Sequence, residues 1–241
     1  NILYRKAGSW TIKPLIPHTI WRQNPPPMQE RSWSPVVWIG YAMCVGVMGT
    51  ALASPLYPLY QQAWGLQPSH ITQIFVAYMF GALASLLFLG RLTDRFGFLA
   101  VLRAGLILMT LSIICSALAW NVPSFAFARF LIGIASGLIS TSAMLGLIYT
   151  IPDSHKQSAP QLSSIITVIG FGLGPLIGGI IAQFSAKPLM IPYLPVIAGA
   201  IVCLISLFSV KHVPTQKQPF SIKIYMNLQS WPGLVDASFF T

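Results

Sequence analysis

The sequence predicts an all-α membrane protein with six transmembrane helices, and three observations carry that expectation. Of 241 residues, 55% are hydrophobic and only 7% charged, whereas a water-soluble domain needs about 25% charged residues to cover its surface. The mean hydropathy of +0.71 comes from six separate apolar stretches of about twenty residues, each enough to cross a hydrocarbon core of about 30 Å. Finally, the connections between these stretches alternate between basic and bare, as they must in a chain that crosses repeatedly and keeps its Lys and Arg on one side.

Residues 1–35 read as a basic, Pro-rich cytoplasmic tail. Arg5, Lys6, Lys13, Arg22 and Arg31 face no acid before Glu30, and Pro25, Pro26 and Pro27 follow one another. There is no apolar core of a secretory signal. The prolines interrupt any long amphipathic helix, which speaks against an organellar transit peptide and for a mostly disordered segment. The chain opens on Asn1, and Met28 stands just before the first apolar run, so Met28 is a candidate natural start.

Residues 36–210 form the transmembrane unit, with expected spans at 36–57, 71–90, 99–119, 125–149, 163–184 and 189–209. Trp33 and Trp38 mark the start of the first span, and Trp64 and Trp120 the opposite interface, where amphipathic rings concentrate. Residues 211–230 are polar and basic. Trp231 to Thr241 reads as the beginning of a further apolar segment, so 211–241 is expected to be a cytoplasmic linker followed by the start of a seventh helix.

Twelve of the fourteen Lys and Arg residues fall in the tail, the second-to-third loop, the fourth-to-fifth loop and the last segment; Lys187 lies on the other side and Arg129 within a span. The positive-inside rule then places both termini in the cytoplasm. Basic residues threaded between apolar runs do not make the clustered face that nucleic acid requires. Cys44, Cys115 and Cys203 fall in apolar segments without metal or disulfide spacing and read as buried packing residues. No phosphate-cradling loop, metal cluster or positioned nucleophile points to an enzyme.

Four runs stand out. Gly90-Arg91-Leu92-Thr93-Asp94-Arg95-Phe96-Gly97 joins the second and third spans. Gly90 would let the second helix approach a neighbour, Gly97 would give the turn a permissive backbone, and Asp94 could pair with Arg91 or Arg95. In the fourth span Arg129 is followed by Gly133 and Gly137. A charge in a span costs about 2.5–3.5 kcal/mol on insertion scales, so it marks a bundle interior or a wet cavity unless the side chain snorkels to the surface. In the fifth span Gly170, Gly174, Pro175, Gly178 and Gly179 combine small residues four apart, which permit close helix packing, with a proline that bends the helix. The first span carries Gly49, then Pro55-Leu56-Tyr57-Pro58, which reads as a helix broken at its outer end.

Together these runs resemble the motifs of the major facilitator superfamily, and in particular its twelve-helix drug:proton antiporters. Gly90, Leu92, Asp94, Arg95 and Gly97 match the family's loop latch, although Phe98 and Leu99 replace its basic pair and leave Arg103 as a distant substitute. Arg129 and Gly133 match the fourth-helix pattern associated with proton coupling. The fifth-helix run resembles the antiporter motif in full, and Gly49, Pro55 and Pro58 resemble the first-helix motif of the twelve-helix group. The resemblance covers residues 36 to about 210.

It implies one half of a major facilitator fold, six helices arranged as a 3+3 inverted repeat, with a C-terminal half of the same transporter as partner. It also implies alternating access to a small-molecule substrate, efflux driven by the proton gradient without a cofactor, and residence in a bacterial inner membrane. The acids Glu30, Asp94, Asp153 and Asp236 all lie outside the six spans. A proton carrier would thus belong to the other half, unless protonation of Asp94 gates the latch. Two alternatives stay open: a sugar or metabolite facilitator or symporter using Tyr41, Tyr78, Tyr149, Ser140 and Thr141, and a truncated membrane interaction module that transports nothing.

Overall fold

A computed structural model of the protein describes residues 2–6, 9–13, 33–90 and 92–209. The chain divides into two units, Asn1–Ser32 and Trp33–Thr241. The linker and seventh-helix start expected at 211–241 lie outside the described residues, as does most of the tail.

In the first unit β1 (Ile2–Lys6) and β2 (Ser9–Lys13) pair antiparallel, with Ile2 opposite Lys13 and Lys6 opposite Ser9. The tail expected to be disordered therefore contains a hairpin. Ile2, Tyr4, Trp10, Thr11 and Ile12 are strand formers, and two residues ending in a glycine separate the strands. Its basic charge and the later prolines masked this short-range signal.

Among its described residues the second unit holds six helices long and apolar enough to cross a membrane, matching the six expected spans. The first consists of α1 (Ser34–Ala51), a 3-10 turn at Ser54–Leu56 and α2 (Tyr57–Trp64). The second is α3 (Pro68–Ala84), which continues as a π-helical turn at Ser85–Leu89. The short α4 (Leu92–Phe96) then leads to α5 (Phe98–Ala117). After α6 (Val122–Thr150) and a 3-10 segment at Asp153–Ser158 come α7 (Ala159–Phe184) and α8 (Leu194–Ser209).

The prolines of the first span tighten the helix rather than end it. Pro55 and Pro58 each occupy the first turn of a helical segment, where the missing N–H has no intrahelical acceptor to lose. The chain therefore resumes as α2 and continues to Trp64, where Gly65, at φ +62°, ends it. Asn121 starts α6 by accepting a 2.8 Å hydrogen bond from the Ser124 amide.

Packing follows a twofold pattern. α1 packs on α6; α6 also holds α3 and α5, while α1 holds α7 and α8. Exchanging the first three spans for the last three maps this set onto itself, which is the signature of two three-helix repeats. α1 and α6 form the centre: 67% and 56% of their most apolar windows are buried, against 17% for both the second and the fifth span. Lipid is as apolar as these side chains, so close van der Waals packing has to hold the centre together. Small residues make that possible: Ala42, Ala128, Ala135, Ala143 and Ala200 are all fully buried at the helix contacts.

Candidate transport site

In the charged loop Leu92–Phe96 form a short helical turn held by local hydrogen bonds. The Thr93 hydroxyl donates to the Gly90 carbonyl at 3.0 Å, and the Gly97 amide donates to the Thr93 carbonyl at 2.9 Å. Gly97 then adopts φ +84° and ψ 150° immediately before α5, a conformation costly for any residue with a Cβ. Asp94 and Arg95 are exposed, and among the described residues Asp94 makes no ion pair; the Arg95 guanidinium lies 5.5 Å from the Phe96 ring centre instead. Arg91 lies outside the described residues.

Two expectations for this loop change. A Cβ on Gly90 would stand 2.7 Å from the Leu86 carbonyl of its own helix, so this glycine serves the π-turn and not a neighbouring helix. Arg103, one turn into α5, turns away from the loop. It donates to the Leu207 carbonyl at 2.5 Å and lies 4.7 Å from the Phe208 ring, where a cation complements the C-terminal end of α8.

Arg129 is an interior residue. It stands seven residues into α6, yet is 2% exposed, which rules out snorkelling to the headgroups. Nη1 donates to the Thr50 carbonyl of α1 at 3.2 Å, while the rings of Phe125 and Tyr57 lie 5.2 and 6.0 Å from the guanidinium carbon. Among the described residues, Nε and Nη2 make no close hydrogen bond, while the guanidinium interacts with the Tyr193 hydroxyl. The Tyr60 and Tyr193 hydroxyls, 3.2 Å apart, lie within electrostatic reach of the charge. Tyr60 is delivered by α2, the extension absent from the sequence expectation, and packs 4.4 Å from Phe125. Tyr60, Tyr193 and Thr50 were not legible as site residues, because nothing local in the sequence joins Arg129 to positions more than sixty residues away.

Gly133, one turn after Arg129, has a different task. A Cβ there would collide with the Tyr78 carbonyl of α3, and one on Gly81 would collide with the Phe130 carbonyl of α6. These glycines bring two backbones together. Gly49 likewise packs under Ile113 and Met109 of α5, 2.9 and 3.1 Å from an added Cβ.

The fifth-span motif forms a seam with α1. Added Cβ atoms at Gly170, Gly174 and Gly178 would stand 2.9, 2.8 and 2.9 Å from the carbonyl oxygens of Cys44, Met48 and Leu52. Both series step by four, so one helix lies along the other in register, a contact that larger side chains would abolish. Pro175 sits inside α7 between these contacts. Gly179 is looser, with Pro55 at 3.6 Å.

Three of the polar candidates for a sugar or metabolite are engaged within their own surroundings. The Tyr41 hydroxyl lies against Gly199 of α8, Tyr149 stacks on Phe98 at 6.0 Å, and Thr141 bonds to carbonyls of its own helix. Of the cysteines only Cys203 is buried; Cys115 lies on an exposed face, because α5 turns that side outward.

Comparison with known proteins follows the same lines. A sequence profile described as the Major Facilitator Superfamily matches residues 39–240. Multidrug resistance protein 2 of Bacillus subtilis (strain 168) is 30% identical over 145 residues, covering 59% of this chain and 36% of that protein. Quinolone resistance protein NorA of Staphylococcus aureus is 30% identical over 142 residues, covering 58% of this chain and 36% of NorA. The chain thus matches little more than a third of the length of these curated relatives. The fold is similar to the crystal structure of the transporter FucP in the outward conformation, with a TM-score of 0.61 at 20% identity, over 78% of this chain and 52% of FucP. With the profile spanning all six membrane helices in their two sets of three, this multi-pass membrane chain belongs to the Major Facilitator Superfamily.

Proposed function

We propose that the chain is the amino-terminal half of a bacterial inner-membrane transporter that exports lipophilic small molecules in exchange for protons. The observation that carries this reading is the α7–α1 seam. Its glycine and proline run resembles the antiporter motif, and each of its three inner glycines meets a carbonyl of α1 at a distance only glycine permits. Relatives named for multidrug and quinolone resistance support lipophilic drugs as the substrate class.

The two central helices α1 and α6 would rock as one wall of a cavity whose other wall is the C-terminal half of the transporter. The least buried spans, the second and the fifth, present Leu87, Phe88 and Val168 at 73, 79 and 71% exposure, an apolar face for lipid and that second half. The Lys and Arg distribution supports both termini in the cytoplasm. Arg129 supplies a fixed positive charge in the wall. The proton gradient is the driving force and no cofactor takes part; the proton carrier lies in the other half, or Asp94 gates the latch.

Inverted membrane vesicles containing the complete protein test this directly. A fluorescent quinolone should accumulate when the interior is acidified and leak out when an uncoupler collapses the gradient. Uptake to equilibrium that ignores the uncoupler would replace antiport with facilitated diffusion.

A further inference from the structure

The second span changes its winding just before the charged loop. α3 is α-helical to Ala84, Ser85–Leu89 forms a π-turn, and Gly90 follows at φ −56°. Isolated π-turns are uncommon and cluster at functional sites. Two glycines on different helices accommodate this one. At Gly90 a Cβ would meet the Leu86 carbonyl at 2.7 Å, and at Gly137 of α6 a Cβ would meet the Ser85 hydroxyl and Cβ at 2.6 and 2.7 Å. The Ser85 hydroxyl is buried and has no partner among the described residues, although Ser112, Ser142, Thr150 and Thr167 each bond the carbonyl four residues back.

The two sides of the turn are held differently. Before it, Gly81 and Gly133 clamp the backbones of α3 and α6 together. Within it, Leu86, Leu87 and Phe88 are 53, 73 and 79% exposed. After it comes the loop with Asp94 and Arg95, both free of ion pairs among the described residues.

We propose that Ser85–Leu89 is a rotary hinge, in which exchange between π and α winding turns the Gly90–Gly97 loop relative to a clamped α3. A π-turn holds one residue more than an α-turn, so closing it advances everything downstream by one residue, about 100° of rotation and 1.5 Å of rise. That rotation carries Asp94 and Arg95 from one side of the span to another. Gly90 permits the π state, and Gly137 leaves room for Ser85 in it. The hinge is read from these distances alone; its part in alternating access rests on the transport reading above.

The test is a distance measurement between spin labels on the complete protein, with Cys44, Cys115 and Cys203 replaced and Phe96→Cys and Gln157→Cys added. Two distance populations are expected in this background. Gly90→Ala disfavours the π state and should collapse them onto one. Deleting Leu87 removes the extra residue, so an α winding keeps the loop in the orientation seen here; it should collapse them onto the other, and should do so even with Gly90→Ala present. A single population in the parent background, or one that both variants leave unmoved, overturns the hinge, and the parent measurement decides if a variant does not fold. Transport assayed on the same samples separates the two claims: two populations without transport would remove the transport reading and keep the hinge, while transport with one population would do the reverse.

Discussion

Two alanine substitutions within one glycine–proline run should have different outcomes. At Gly174 a new Cβ would stand 2.8 Å from the Met48 carbonyl oxygen, 3.2 Å from the Met48 Cα and 3.3 Å from the Ala51 Cβ. Comfortable contact begins near 3.5 Å, and the obstacle is main chain, which cannot rotate aside. α7 would have to retreat by about 0.7 Å, opening the flanking contacts of Gly170 and Gly178 as well. Overpacking of this kind costs about 1–3 kcal/mol, offset by about 1 kcal/mol from the better helix propensity of alanine. At Gly179 the nearest atom is the Pro55 Cβ at 3.6 Å, so Gly179→Ala should keep the propensity gain without the clash. The expected gap between the variants is therefore about 2 kcal/mol. Heating the complete protein in detergent and following the monodisperse fraction by size exclusion would measure it. Equal stabilities, or a less stable Gly179→Ala, would refute the seam as the reason for the motif.

Other substitutions separate structural from transport roles. Arg129→Met removes a buried charge whose Nε and Nη2 make no close hydrogen bond among the described residues, so thermal stability should hold or rise, on the order of 2 kcal/mol, while proton-coupled transport disappears; a fall in both would make the guanidinium structural. Gly97→Ala, at φ +84°, should destabilise by about 1–2 kcal/mol, read as a lower melting temperature. Arg103→Ala removes the donor to the Leu207 carbonyl; amide exchange over 205–209 should rise, with about 1 kcal/mol lost because the site is only partly buried. Asp94→Asn should weaken proton-coupled transport if Asp94 gates the loop, and unchanged coupling would remove it from the mechanism.

Much of the fold was legible because the bilayer imposes a simple rule: each crossing needs about twenty apolar residues. The six stretches and the glycine steps of the fifth span could be read from that rule and from small-residue spacing. What the glycines face could not. Gly90 and Gly133 look alike in sequence, yet one accommodates a π-turn within its own helix and the other a carbonyl of the next helix. The continuation of the first span past Pro58 was hidden because a proline reads as a stop unless it occupies a first turn. Arg103 carried no sign of its partner, since Leu207 lies 104 residues away. The neighbours of Arg129 were hidden for the same reason: Tyr60 of α2 and Tyr193, just before α8, meet only once the first and sixth spans are packed.

The central claim, exchange of a lipophilic compound for protons, is tested most directly by proton movement driven by substrate alone. The complete protein would be reconstituted in liposomes holding a pH-sensitive dye, with no imposed gradient, and a quinolone added outside. Inward movement of the drug should drive protons out, raising the internal pH in step with drug uptake and only when protein is present. Drug entry without a pH change, or with acidification of the interior, would contradict antiport.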